Sequence, residues 1–219
     1  VKFMDRFLRS LLIVVGISNT ALIQTAIAHP HVWITMSQTI LFTPDGQLTG
    51  VQHRWVFDEA YSVFVVQGVT REKDGRIGAA ALAPLAKVNT ADLKDFNYFT
   101  TLKSDGKSQE FSEPKDYTFE FDGKQIIFIF TLPLKEAVRP GRTTVIEITD
   151  PTYFVSFRFA DIPEPALLNA PIKSCAVIAK RPPEDPEPVG QPLSEVIFNS
   201  LATNKQFGLQ FASRIILAC

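Results

Sequence analysis

His29-Pro30-His31 is the segment of this chain best equipped for chemistry. In an extended backbone, residues two apart point to the same side, so both imidazoles would face one way. Imidazole nitrogen suits zinc, copper and nickel. What precedes the pair sharpens the reading. Lys2, Arg6 and Arg9 make a positive stretch, Leu11 to Ile17 an apolar run, and Ala26-Ile27-Ala28 a small-residue cleavage signal. Residues 1–28 therefore read as a signal peptide. Cleavage after Ala28 would leave His29 as the mature N-terminus, with an α-amine beside its ring. Pro30 blocks the square-planar amino-terminal copper or nickel arrangement. That arrangement needs a deprotonated amide at the second position, and proline has no N–H to lose. An amine-plus-imidazole site remains, or a two-histidine site completed elsewhere. The competing reading is a pair of solvated terminal histidines.

Asp58 and Glu59 are the candidates to complete the site. The segment from His31 to Phe42 alternates apolar and polar residues, and so does Leu48 to Phe57. Period two means strands. Thr43-Pro44-Asp45-Gly46 between them is a turn. Pairing the apolar faces places His31 opposite residues 58–60. Two histidines and a carboxylate are a common ligand set. Asp58 and Glu59 also stand where a helix begins, and capping is the alternative role. His53 shares the apolar face of Trp55 and Phe57, so it reads as a core residue and not as a ligand.

The loop from Thr70 to Ile77 has the outline of a calcium loop. Gly75 would be position six and Ile77 position eight; Thr70, Glu72 and Asp74 would be positions one, three and five. Position twelve would be Ala81, where a bidentate Glu is needed. Calcium binding is not expected. Nucleophilic catalysis finds no GxSxG, HExxH, P-loop or GxGxxG pattern, and an enzyme is not expected. The two cysteines, Cys175 and Cys219, both lie in the exported part, where an even count favours one disulfide over a thiolate metal site. A net charge of −1 gives no footprint for nucleic acid. The single long apolar run, at the N-terminus, excludes a multi-pass membrane protein.

The elements that would carry these residues follow from pattern. Helical periodicity is expected over 58–69 and again over 79–96, with Pro84 early in the second helix. Short strands are expected at 99–103, 117–121, 125–132, 144–149, 153–159 and 173–179, several joined by Asp-Gly turns. Residues 181–192, with five prolines, read as an extended linker. A helix over 193–211 and a strand over 213–219 would end the chain. The fold class is α+β: a mostly antiparallel, sandwich-like β structure with a helical insertion after the first hairpin and a C-terminal helix-strand. Residues 29–219 make one secreted region, with 29–135 and 136–219 as possible subdomains.

Five segments in order carry a family resemblance: HPHVWI at 29–34 after the AxA site, WVFDE at 55–59, NYFTTL at 97–102, DPTYFVSF at 150–157 and FGLQFASRIILAC at 207–219. The chain resembles the bacterial secreted family known as domain of unknown function 1007. The resemblance implies a periplasmic component associated with ABC-type transport, encoded beside nickel or cobalt permeases. It also implies a fuller EF-hand-like loop after the FDE helix, from which Thr70 and Ala81 depart. The expectation is a periplasmic accessory protein for transport of nickel, cobalt, zinc or copper, with an inner-membrane permease as partner. It would capture metal at His29 and His31, helped by Asp58 or Glu59. The alternative is a non-metal module that docks on a permease through β edges and aromatics.

Overall fold

The computed structural model describes residues 31–161, 166–168, 175–182 and 208–219. His29 and Pro30, the leader and most of the proline-rich linker and the segment after it lie outside the described residues. The first hairpin forms as its alternation demands. β1 (Val32–Phe42) pairs antiparallel with β2 (Leu48–Phe57), with Ile34 opposite Phe57 and Gln38 opposite His53. A short helix, α1 (Glu59–Val65), and a longer one, α2 (Ala79–Asp92), follow. Pro84 sits inside α2 without ending it. A 3₁₀ segment, Leu93–Phe99, leads from α2 to the next strand.

Nine more strands complete two sheets: β3 (Thr100–Ser104), β4 (Lys107–Gln109), β5 (Lys115–Phe121), β6 (Ile126–Val138), β7 (Thr143–Ile148), β8 (Val155–Phe159), β9 (Ala166–Leu168), β10 (Ala176–Lys180) and β11 (Ser213–Ala218). The first sheet runs β5-β6-β2-β1-β8, with β9 also on β1; the second runs β10-β11-β7-β3-β4. Most pairs are antiparallel, but β8 and β9 lie parallel to β1. The second sheet draws β3 and β4 from before residue 135 and the other three strands from after it.

Alternate residues of both sheets turn inward into one core. Ile34, Met36, Trp55, Phe128 and Phe130 come from the first sheet, Leu102, Ile146, Ile148, Ile215 and Leu217 from the second. Trp55 lies edge-on to Phe128 and Phe130 and tilted against Phe157, within 4.9–6.1 Å between ring centroids. Such offset contacts match the quadrupoles of the rings. The layered packing of two sheets is what period-two alternation with one buried face builds. Across the sandwich, Ser213 Oγ donates to Phe157 O at 2.9 Å.

Both helices expected after the first hairpin end earlier than their pattern suggests. The first helix ends at Val65 and not at residue 69, because Gly68 takes a positive φ of 78° in the turn that follows. Of the C-terminal helix expected over 193–211, residues 193–207 lie outside the described residues, and the described end, Gly208–Phe211, is a 3₁₀ turn. The second helix also tightens into 3₁₀ at Leu93, and Asn97, Tyr98 and Phe99 then adopt left-handed backbone with φ of 49–54°. Three consecutive left-handed residues cost about 1–2 kcal/mol each. Here the turn is secured by Asn97 Nδ2 donating to Thr100 O, Thr149 N to Phe99 O and a buried Tyr98.

Candidate functional site

Of the residues that the sequence singled out, the exposed start of β1 carries His31, while His29 lies outside the described residues. His31 donates its N–H to Phe154 O at 2.9 Å, and the two rings lie 4.7 Å apart between centroids. Phe154 is presented by a turn tied to one carboxylate. Asp150 Oδ1 accepts from Thr152 N and Oγ1, each at 2.8 Å, and Oδ2 accepts from Val155 N at 2.9 Å. This explains why the DPTYF segment is compact: an Asp side chain replaces backbone partners around the turn. Next along β1, Trp33 is 45% exposed on the outer face.

Asp58 sits opposite Trp33. Its N–H donates to Trp33 O at 2.9 Å, its Oδ2 accepts from Trp33 N at 3.0 Å, and its Oδ1 accepts from Tyr61 N at 2.9 Å. The carboxylate therefore caps α1 and fastens the end of the hairpin at once. Burial, with the Asp58 charge second, pushes the Tyr61 phenol up. Glu59 leans toward Lys124 at 3.8 Å, both side chains well exposed. The register thus brings Asp58 within two strand positions of His31, as the hairpin reading expected, but commits one lone pair of each oxygen to a backbone N–H. Among the described residues no three His, Cys, Asp or Glu side chains converge to hold a metal.

His53 is fully buried, as its apolar neighbours foretell. Its ring stacks on Phe130 at 4.8 Å and lies edge-on to Trp55 at 5.6 Å. Neither ring nitrogen has a hydrogen-bond partner, and the same holds for both amide atoms of Gln38 opposite and for Trp55 Nε1. Burial alone pushes the imidazole pKa down to about 3, so His53 is neutral in the fold.

The family model described as "Protein of unknown function (DUF1007)" matches residues 14–219. The chain belongs to this family. A relative from Haemophilus influenzae, described as an uncharacterized protein, is 27% identical over 196 residues, covering 88% of this chain and 92% of that one. The family match covers the whole described sandwich. The same DUF1007 segments that stand out in sequence hold the site together: WVFDE supplies the Asp58 cap, and DPTYF supplies the turn under His31. Sequence reasoning missed Phe154 as the neighbour of His31, because a parallel pairing between β1 and β8 leaves no local signal.

The two cysteines form the expected disulfide, Cys175–Cys219, across a separation of 44 residues. No helix among the described residues is long and apolar enough to cross a membrane.

Proposed function

We propose that this DUF1007 chain is an exported accessory protein for transition-metal transport. It takes up nickel, cobalt, zinc or copper through the imidazoles of His29 and His31 and passes the ion to an inner-membrane permease. The observation that supports this is the placement of His31. It stands exposed at the mouth of β1, with its backbone bonded to Phe154 and its ring against the Phe154 ring. A histidine so fixed gives a metal an ordered ligand at the point where the chain leaves the sheet, and a second imidazole two residues earlier completes a pair. Asp58 serves here by fixing the strand end, its oxygens being used by two backbone N–H groups.

Titration of protein beginning at His29 with Ni²⁺, Cu²⁺ or Zn²⁺ tests this. Affinity is expected to fall as pH drops from about 7.5 to 5.5, because ligating groups must lose protons. His29→Ala and His31→Ala should each weaken binding strongly. A residue added before His29 should weaken it as much only if the α-amine is a ligand.

The second reading, a docking module without metal, is favoured by the exposed aromatics around the same strand end, Trp33 and Phe154, each 45% exposed. Equal weak metal binding by wild type and the double histidine variant would leave that reading alone.

A further inference from the structure

We propose that the outer face of the second sheet carries a binding groove for a small hydroxycarboxylate, anchored by Lys103 and Arg142. This does not rest on the N-terminal metal reading and uses the opposite sheet. The groove, open to solvent on its outer side, has a volume of about 650 Å³ along the outward residues of β3 and β7, within the range of small-molecule sites. Its walls follow from strand register: Thr101 faces Glu147 and Lys103 faces Val145.

The charges of the groove are unevenly used. Glu147 is taken by Arg214, whose Nε lies 2.6 Å from Oε2. Asp105 Oδ1 accepts from Thr143 N at 3.0 Å, and its carboxylate packs on Gly141 where a side chain would otherwise begin. Lys103 and Arg142 line the same space, exposed, with no side-chain partner among the described residues. With Glu147 paired to Arg214 and Asp105 turned to a backbone N–H, Lys103 and Arg142 are the two groups placed to receive an anion. Arg offers a planar fork that matches a carboxylate. The oxygens of Asp105 and Glu147 still accept hydrogen bonds, so the ligand that fits also carries a donor, and a hydroxyl on the carbon skeleton supplies it. Sulfate, fully deprotonated, brings the same double charge as a hydroxydicarboxylate but no such donor.

The position of Arg142 is itself secured. Cys219 N donates to Arg142 O at 3.2 Å, and Cys219 is held by the disulfide to Cys175. The staple therefore reaches the groove through one backbone bond.

Calorimetric titration of the full exported protein in metal-stripped buffer tests the proposal, with malate as probe. Succinate has the same charge without the hydroxyl, and sulfate is the tetrahedral control that lacks a donor. Saturable malate binding is expected, at least tenfold weaker in Lys103→Ala and in Arg142→Ala, and weakened in Arg142→Lys. Lys124→Ala, on the other sheet, should match wild type. Succinate should bind several-fold more weakly than malate and sulfate more weakly still. The Cys175→Ser/Cys219→Ser variant should lose affinity a few-fold while circular dichroism shows the sandwich intact. Malate binding unaffected by the Lys103 and Arg142 substitutions, equal binding of all three anions, or equal loss in Lys124→Ala would each overturn the groove. No malate binding at millimolar concentration would overturn it outright.

Discussion

Asp58 and Trp33 grip each other across the end of the first hairpin through two hydrogen bonds, one from each N–H: Asp58 N to Trp33 O at 2.9 Å and Trp33 N to Asp58 Oδ2 at 3.0 Å. The second bond makes a side chain stand in for a ladder carbonyl. The other carboxylate oxygen caps α1 through Tyr61 N. Asp58→Ala removes both roles, and a lost N-cap alone costs about 1 kcal/mol. We expect a loss of about 1–3 kcal/mol in urea denaturation, and a smaller loss for Asp58→Asn, which keeps one acceptor. Metal affinity should change much less than in His31→Ala. A fall in nickel affinity as large as that of His31→Ala, with stability unchanged, would make Asp58 a ligand instead.

His53 should make the fold sensitive to acid. Its pKa is about 3 in the fold and about 6.5 in the unfolded chain. Between those values the unfolded chain holds a proton that the fold refuses. Its contribution is therefore complete above about pH 6.5, and is lost as pH falls toward 3 at roughly 1.4 kcal/mol per unit. Carboxylates titrate in part of the same window, so the comparison is between wild type and His53→Phe. The variant should show a flatter decline of stability from pH 6.5 to 4, whatever its stability at pH 7. Parallel declines would mean that His53 is protonated or partnered in the fold.

The core of this sandwich was legible because one buried face makes a strand alternate. Val32 to Phe42 and Leu48 to Phe57 announce themselves, and the turn at Thr43 to Gly46 sets their register. His53 was legible for the same reason. What the residues did not reveal are contacts made across long separations. The parallel pairing of Val32 with Val155 brings Phe154 to His31, and no periodicity encodes that neighbour. The groove at Lys103 and Arg142 arises from β3 meeting β7 and from Arg214 neutralising Glu147, again a matter of sheet order. The left-handed run at Asn97 to Phe99 contains no glycine to signal it.

The loop after α1 should ignore calcium for a reason beyond Ala81 at position twelve. Gly75 takes the positive φ of 84° and Ile77 is buried, as the loop outline requires. But Arg76 turns back onto the acids. Its Nε lies 2.7 Å from Asp74 Oδ2 and its Nη2 lies 3.3 Å from Glu72 Oε2. The Arg76 guanidinium, and after it the Arg76 backbone N–H, hold the Asp74 carboxyl below its ordinary range. A guanidinium thus occupies the oxygens that a cation would need. Millimolar Ca²⁺ should leave the melting temperature within about a degree, and Tb³⁺ should show no sensitised emission. Saturable stabilisation by Ca²⁺ that disappears in Asp74→Ala would refute this.

The disulfide should stabilise one edge of the second sheet more than the rest. Among the described strands β10 lies at the edge of its sheet beside β11, and the pairing of Ala176 with Ala218 carries Cys175 directly beside Cys219. Intact mass of exported protein should therefore be two hydrogen atoms short of the reduced form. In the chain-entropy account, closing a 44-residue separation is worth up to about 4 kcal/mol, with 2–4 typical. Cys175→Ser should lose stability in that range, measured by urea denaturation. The loss should also be local. β7 is held on one side by β11 and on the other by β3, whereas β10 has β11 alone along that path. Hydrogen exchange at Val177 to Ala179 should accelerate far more on reduction than exchange at Val145 to Glu147, since edge pairing opens before the central strands. Uniform acceleration across both strands would show that the bond acts on the whole fold, and native thiols that titrate freely would show that it does not form.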